Sequence, residues 1–588
     1  MNIDTLLRDI QKPARYTNRE YNAVKKTWSI EKLKICLAFP DLYEIGMSHL
    51  GFKIIYHMLN DREDLICERV FMPWKDMLLR LKETGESLFS LESQKPLKEF
   101  DILGFSVSYE LSFTNILEMI HASKMDVLAK NRKEDDPIIF AGGSAVYNPA
   151  PLSKIIDVFF IGEAESELVE MLNHIKRLKN EHFGKKEILC KLSSKNGIYV
   201  PAVHGVERQD ISKVFTKNIN KDLDNSYYPK KQIVPFIKIV HDRVAVEIMR
   251  GCPNSCSFCQ ARSIYFPTRF KKKEKVIAQS LDSLKNTGYE QVSFLSLSTS
   301  EHPKINEIIS SVTRQLCYKD INVSIPSVRI KKGADFIRHL DMHRKKTGLT
   351  FAPEAGSEKL RKILCKNINM DDIYEFLREA FKRGWRRAKL YFMVGIPGES
   401  QSDLDAIYEI AKRIQDIKRS VGGGRAQITM SINPMIPKPH TPMQWFGIDG
   451  YRDLLDKYAY LKSIVKDRHV KLDFKNIKMS FLEASISRGS CRMHDILIGA
   501  WKKGAIFDGW DAEFNSSIWE ATFCEHGRDL YTLPTKNYTY TDVLPWDFVQ
   551  TGVPKDWLMR EHKKISALIS GSAFAKKNFN ADMLRRDK

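Results

Sequence analysis

Cys252, Cys256 and Cys259 stand in a C-x3-C-x2-C spacing within Val244–Cys259, VAVEIMRGCPNSCSFC. They follow a β-branched run that ends in Arg250-Gly251. Thiolate is the usual protein ligand for clusters of iron and sulfide, and three on one short loop can hold such a cluster. A four-iron cluster needs a ligand on each iron. Three cysteines therefore leave one iron open to a reactant, as a catalytic metal keeps an open position. Two plainer readings compete: part of a structural zinc site, or buried thiols. A structural zinc site wants four closed ligands, and no further cysteine or histidine follows closely enough to complete one locally. The cluster is the better reading because the motif arrives with a strand directly before it.

The rest of the chain must position that loop, and it supplies a repeated alternation of strand and helix. Residues 1–30 contain KPARYTNREYN (Lys12–Asn22), where Pro13 and Asn18 break any helix, so they read as an extended arm. Strands are predicted at Leu33–Phe39, Ile102–Ser108, Ile138–Ala141 and Val158–Ile161, with helices at Ile45–Asn60, Pro73–Thr84 and Thr114–Lys130. This alternation predicts a doubly wound parallel α/β sheet over residues 31–180. Ligands bind beyond the carboxyl ends of such strands. The loops there hold Ser106 and Ser108, then Gly142-Gly143-Ser144, then Gly162-Glu163-Ala164-Glu165. Glycine lets a backbone approach a ligand closely. After a helix at Glu165–Arg177, residues 181–235 are lysine-rich with weak periodicity and read as a linker region.

A second α/β region is predicted over residues 236–445. Its strands are Val244–Met249, Gln291–Leu297, Val323–Ile330, Gly348–Ala352, Ala388–Val394 and Gln427–Asn433, with helices such as Lys272–Asn286 between them. Strand ends carry PSVR, PEAGS and GIPGES. NPMIPKPHTPMQW (Asn433–Trp445) is too proline-rich for a helix. Residues 446–588 read as a smaller α+β accessory domain, helical at Tyr451–Lys466 and Phe481–Trp501 and extended at Val470–Ser480. Cys491, His494, Cys524 and His526 lie there in a spacing that fits no metal pattern, and they read as ordinary buried or surface residues.

The cysteine loop resembles that of the radical S-adenosylmethionine (radical SAM) superfamily. The resemblance implies a [4Fe-4S] cluster on Cys252, Cys256 and Cys259, with the amino and carboxylate groups of SAM on the open iron. An electron from the cluster then cleaves SAM to methionine and a 5′-deoxyadenosyl radical. The resemblance also implies a partial (β/α)6 barrel, a relative of the complete barrel whose chemistry sits at the strand carboxyl ends. It places Phe258 beside SAM, and Gly395, Pro397 and Gly398 of GIPGE against the adenine. Glu354 would accept hydrogen bonds from SAM's ammonium or ribose. Ser357 is placed as a helix cap, and Arg329 as the partner of SAM's carboxylate. A turn glycine, a plain cap and a surface ion pair are the alternatives. The superfamily often has Gly-Gly-Glu at the second strand end, where this chain has Leu297-Ser298-Thr299-Ser300, so Ser298 or Ser300 stands in as partner of the amino group.

The first sheet resembles the cobalamin (B12)-binding domain that precedes many radical SAM domains. The resemblance implies cobalamin contacts at Ser106, Ser108, Gly142, Gly143, Gly162 and Glu163. The D-x-H-x-x-G motif of some cobalamin proteins is absent, since Asp41–Gly46 reads DLYEIG and His49 lacks the spacing. No histidine from this loop would ligate cobalt. The alternative is a flavodoxin-like domain that keeps the fold and has lost the ligand. Over nearly its whole length the chain resembles an uncharacterised family of radical SAM proteins with such a domain, through PDLYEIGMSHLG, GGSAVYNPAPL, FAPEAGS and LPWDFVQTGVPKDWL. An acidic residue expected after Arg488-Gly489 is Ser490 here. The first function implied is a cobalamin-dependent methyltransferase. The second is a radical SAM enzyme that modifies RNA or protein without methylating and keeps the sheet as a relic. The third is a basic RNA-binding protein with a structural cluster.

Composition bounds the partners. Net charge is +20, from 93 basic against 73 acidic residues, which is compatible with an RNA substrate but equally with lysines spread over solvated faces. The basic runs are short, as at Lys230-Lys231 and Lys271–Lys273. Ten cysteines in 588 residues make no disulfide scaffold, and thiols that must stay reduced argue for the cytoplasm. Met1–Ile10 lacks the apolar core of a signal peptide, and no apolar run approaches a membrane span of roughly 18 residues. A reductant such as flavodoxin or ferredoxin is the expected electron donor.

Overall fold

The computed structural model describes residues 3–316, 321–324, 348–422 and 424–571. The fold is α/β throughout, as the strand and helix alternation predicts. The first sheet has strands β1 (Leu33–Phe39), β2 (Leu65–Phe71), β3 (Ile102–Ser106), β4 (Ile138–Gly142), β5 (Val158–Phe160) and β6 (Ile198–Tyr199), in the order β2-β1-β3-β4-β5-β6. The first five are parallel and β6 runs antiparallel to β5. This is the flavodoxin-like order, whose ligand crevice lies between β1 and β3 at the carboxyl ends.

β2 escapes sequence inspection, because Glu68 and Arg69 interrupt its apolar run, yet every residue of it is buried. Arg69 is bound by Glu20 at 2.8 Å and Glu92 at 2.6 Å, and Glu68 accepts from Trp28 Nε1 at 2.8 Å. The amino-terminal arm thus supplies carboxylate and indole partners without which these charges could not be buried. β6 forms inside the stretch read as a linker, so the first sheet extends past residue 180. A short β7 (Phe215–Thr216) follows.

The second region opens with β8 (Val244–Glu247), then β9 (Met249–Arg250) and β10 (Arg269–Phe270), an antiparallel pair that brackets the cysteine loop. β11 (Gln291–Leu295) and β12 (Asn322–Ser324) join β8 in a parallel sheet. β13 (Leu349–Glu354), β14 (Arg387–Val394), β15 (Gln427–Pro434) and β16 (Val470–Phe474) form a second parallel sheet. Most of the predicted strand Val323–Ile330 lies outside the described residues. β14 alternates cleanly: Leu390, Phe392 and Val394 are buried, and Lys389, Tyr391 and Met393 stay half-buried on the other face. β16 continues this sheet beyond residue 445, so the first part of the carboxyl-terminal region completes the core. The last strand, β17 (Val549–Gln550), pairs with β7. One apolar core runs without a break from Phe105 and Ile116 through Phe392 to Trp519, tying the first sheet and the β13–β16 sheet to the carboxyl-terminal helices.

Candidate active site

Gly251 starts the cysteine loop at φ +82, and a Cβ there would lie 2.6 Å from the Tyr265 carbonyl. Only glycine allows the chain to double back this tightly against its own return strand. The Ser257 amide donates to Leu364 O at 2.9 Å and its hydroxyl to Ile363 O at 3.1 Å, docking the loop on the end of helix Glu358–Ile363. Cys252, Cys256 and Cys259 are all half-buried and outside any disulfide, and Asn254 Nδ2 donates to Cys252 Sγ at 3.4 Å. Among the described residues, no group of three or more His, Cys, Asp or Glu converges as one metal ion requires. Three thiolates on one loop are the donor chemistry of a cluster, in which each binds a different iron. The donor set fits the group.

The first sheet grips this loop at its base. Glu163, just after β5, binds Arg250 at 2.9 Å and Arg269 at 2.6 Å, the paired residues of β9 and β10. Arg250 also binds Glu165 at 2.6 Å and Glu247 at 2.8 Å. Burial alone would raise the Glu163 carboxyl. The Arg269 hydrogen bond and the charges of both arginines instead hold it below its ordinary value. Lys217 adds a second hold, donating to Ser263 O at 3.1 Å and Ile264 O at 2.6 Å. Sequence reading gave Glu163 to cobalamin. In the fold its carboxylate is taken up by the arginines and by the Asn220 amide at 3.0 Å.

Of the residues expected at SAM, Arg329 lies outside the described residues. Phe258 packs half-buried on an apolar cluster that contains Ile396 and Ala355. Glu354, at φ +69, accepts from Lys366 at 3.1 Å, and burial raises its carboxyl. Ser357 caps helix Glu358–Ile363 by accepting from the Leu360 amide at 3.2 Å, so its hydroxyl is committed to the fold. Gly395 at φ +77 donates its amide to Glu399 at 2.8 Å, Pro397 is half-buried, and Gly398 is exposed. Ser298 is buried just before the turn Thr299–Glu301, whose residue Thr299 bonds Ser296 through its hydroxyl at 2.8 Å.

The carboxyl edge of the first sheet divides in two. At β3 and β4, Ser108 and Gly143 are exposed, Ser106 and Gly142 are half-buried, and Ser144 donates to Ser108 O at 3.1 Å. A Cβ on Gly143 would meet Val107 O at 2.4 Å, and one on Gly162 would meet the Asn218 backbone at 2.3 Å. These two glycines admit neighbouring backbone. At the β1–β3 crevice the chain itself moves in. Phe507, fully buried, donates its amide to Asn115 Oδ1 at 2.8 Å, and Asn115 donates to Pro40 O at 3.0 Å. Asp508 accepts from Thr114 at 2.7 Å and Trp519 at 2.8 Å, and Trp510 Nε1 donates to Asp41 at 3.1 Å. Trp510→Phe is expected to cost about 1.5 kcal/mol by leaving the half-buried Asp41 carboxylate short of a donor, visible as a lower denaturation midpoint.

Between the two sheets lies a buried ionic network that no sequence spacing announces. Lys438, after β15, binds Glu110 at 2.8 Å and Glu483 at 3.0 Å. Glu483 also holds Lys475 at 2.7 Å and accepts from Tyr109 at 2.7 Å. Glu110 and Tyr109 follow β3, so the network ties the edge of the first sheet to the carboxyl ends of β15 and β16. His494 spends its ring on Cys491 O and Asp495, in keeping with an ordinary role.

The family described as "Radical SAM proteins, N-terminal" matches residues 51–201, and "Radical SAM superfamily" matches residues 246–411. The chain carries the amino-terminal and core domains of radical SAM proteins. It is a radical SAM enzyme, and that superfamily implies a [4Fe-4S] cluster and SAM. An uncharacterised protein of Methanocaldococcus jannaschii is 26% identical over 502 residues, covering 83% of this chain and 98% of that one. The hopanoid C-3 methylase of Methylococcus capsulatus is 23% identical over 309 residues, 51% of this chain and 54% of the methylase. The radical SAM methyltransferase TsrM of Kitasatospora setae, solved with cobalamin and a [4Fe-4S] cluster bound, superposes with a TM-score of 0.47 at 12% identity, over 70% of this chain and 77% of that one. Among the described residues, no helix is long and apolar enough to cross a membrane.

Proposed function

We propose that this protein cleaves SAM at a cluster held by Cys252, Cys256 and Cys259 and uses the resulting 5′-deoxyadenosyl radical to methylate a carbon of its substrate, with cobalamin as methyl carrier. The reading rests on one arrangement: a three-thiol loop clamped to the carboxyl edge of a flavodoxin-like sheet. The resemblance of that sheet to cobalamin domains and the likeness to a hopanoid methylase support methyl transfer. Ser106, Ser108, Gly142 and Gly143 would hold the corrinoid, because this part of the edge stays open. Cobalamin would supply a methyl group that a second SAM restores. This chain's own residues position the reactants and exclude water. A reductant such as flavodoxin or ferredoxin would supply the electron, and the basic surface suits an RNA substrate.

A second reading, a radical SAM enzyme that does not methylate, is favoured by one observation: Phe507–Trp510 fills the crevice where sheets of this order bind ligands. Anaerobic purification from cells supplied with cobalamin separates the two. About one corrinoid beside one four-iron cluster, with S-adenosylhomocysteine and 5′-deoxyadenosine formed in pairs, is the result expected for methyl transfer. Iron without corrinoid, and 5′-deoxyadenosine alone in productive turnover, would sink it in favour of the second reading.

A further inference from the structure

Helix Lys555–Ile569 comes from the far end of the chain and packs beside the cysteine loop, PEAGS, GIPGE and the end of the proline-rich stretch. Near its start, the Trp557 ring lies 4.2 Å under the guanidinium of Arg262, in the short helix that follows Cys259. In its middle, His562 packs on Trp445 and Phe446 at 5.3 and 4.5 Å, at the end of the proline-rich stretch. In its last turns, Ile565 is fully buried in the apolar cluster shared by Ala355 of PEAGS and Ile396 of GIPGE. Leu568, Ile569 and Phe258 pack on the same cluster and stay half-buried. Gly398 turns at φ +80 against this helix, and a Cβ on it would lie 3.1 Å from Ile569 Cγ2.

We infer that Leu568 and Ile569, together with Phe258 and the Gly395–Gly398 loop, form the apolar walls that hold the adenine of SAM. The inference rests on the radical SAM reading and adds to it a binding surface outside residues 246–411, the part that matches the superfamily. A purine is a flat apolar surface with a polar rim, and sites for it are apolar slots with a few polar groups at the edge. A helix present only to fill the core would bury its last turn as it buries Ile565. Leu568 and Ile569 instead keep surface free beside the loop that meets the base. Gly398 lacks the side chain that would push this loop off Ile569.

The test uses full-length, cluster-loaded protein under anaerobic conditions. Ile569→Ala, Leu568→Ala and the milder Ile569→Val are compared with wild type, and the exposed Arg560→Ala serves as control. Equilibrium dialysis reads SAM and 5′-deoxyadenosine binding. The electron paramagnetic resonance spectrum of the reduced cluster reads binding of methionine, which lacks the base. Each alanine variant is expected to weaken SAM and 5′-deoxyadenosine about tenfold, the size of effect of trimming an apolar pocket wall, with Ile569→Val intermediate. Methionine binding and iron per chain stay at wild-type values, as they would not if the helix were a mere support for the cluster. SAM affinity within about twofold of wild type in both alanine variants overturns the inference. So does parallel weakening of SAM and methionine with loss of iron, which would make the helix a brace for the cluster. A wild-type protein that binds no SAM overturns the radical SAM reading together with it.

Discussion

Cys256→Ala is expected to reduce iron and sulfide to background and to abolish formation of 5′-deoxyadenosine from SAM. Its thiolate is one of only three on the loop, and a cluster already open at one iron would be left with two protein ligands. The apoprotein should barely change. Cys256 is half-buried on a loop that Gly251 and the Ser257 bonds to Ile363 and Leu364 hold in place. Truncating it should therefore shift stability by no more than about 0.5 kcal/mol. Iron analysis, the visible spectrum and SAM turnover with dithionite check the first statement, and denaturation of the metal-free protein checks the second. Retained iron with retained SAM cleavage would place the cluster elsewhere. Iron and stability lost together would show the thiol to be part of the core.

Glu163→Gln should destabilise the fold by about 3 kcal/mol. The substitution keeps shape and removes charge, so two guanidiniums at the base of the loop lose a shared carboxylate. Arg250 keeps Glu165 and Glu247. Arg269 is left with carbonyl acceptors, among them Pro267 O at 3.1 Å. An uncompensated cation in a largely buried place is costly, because removing one partner of a buried pair strands the other. The effect should reach the cluster: Arg250 immediately precedes Gly251-Cys252, and loosening the β9–β10 pair loosens the loop between them.

The pH dependence has a definite sign. The folded protein holds the Glu163 carboxyl below its ordinary 4.5. Its stabilisation is therefore fully present above that pH and is lost as pH falls through the lowered folded value. Wild type should lose stability and iron on acidification below the ordinary carboxylate range, and Glu163→Gln should start lower and show a flatter acid limb. Parallel acid limbs for the two proteins would mean that Glu163 carries no linkage.

Much of this was legible in the sequence. The cysteine loop announces itself through spacing, because three cysteines lie within eight residues of one another. Most strands of the three parallel sheets follow from alternating strand and helix patterns. Gly395 and Gly398 read as glycines that let the chain pass close to a base, with a plain turn as the alternative, and both adopt positive φ.

What the tertiary structure decided are partnerships across long separations. Strand β2 could not be read because Glu68 and Arg69 look like surface residues until Glu20, Glu92 and Trp28 arrive from elsewhere in the chain. Glu163 sits in a loop that pattern assigns to a ligand, and only the approach of Arg250 and Arg269, 87 and 106 residues away, makes it a clamp. Phe507–Trp510 enters the β1–β3 crevice, β16 joins the core sheet, and the last helix reaches GIPGE by the same kind of long-range docking. Periodicity and spacing report what a residue does with near neighbours in sequence. They carry no term for which distant segment will neutralise a buried charge or fill an edge, and that choice is made when the apolar faces pack.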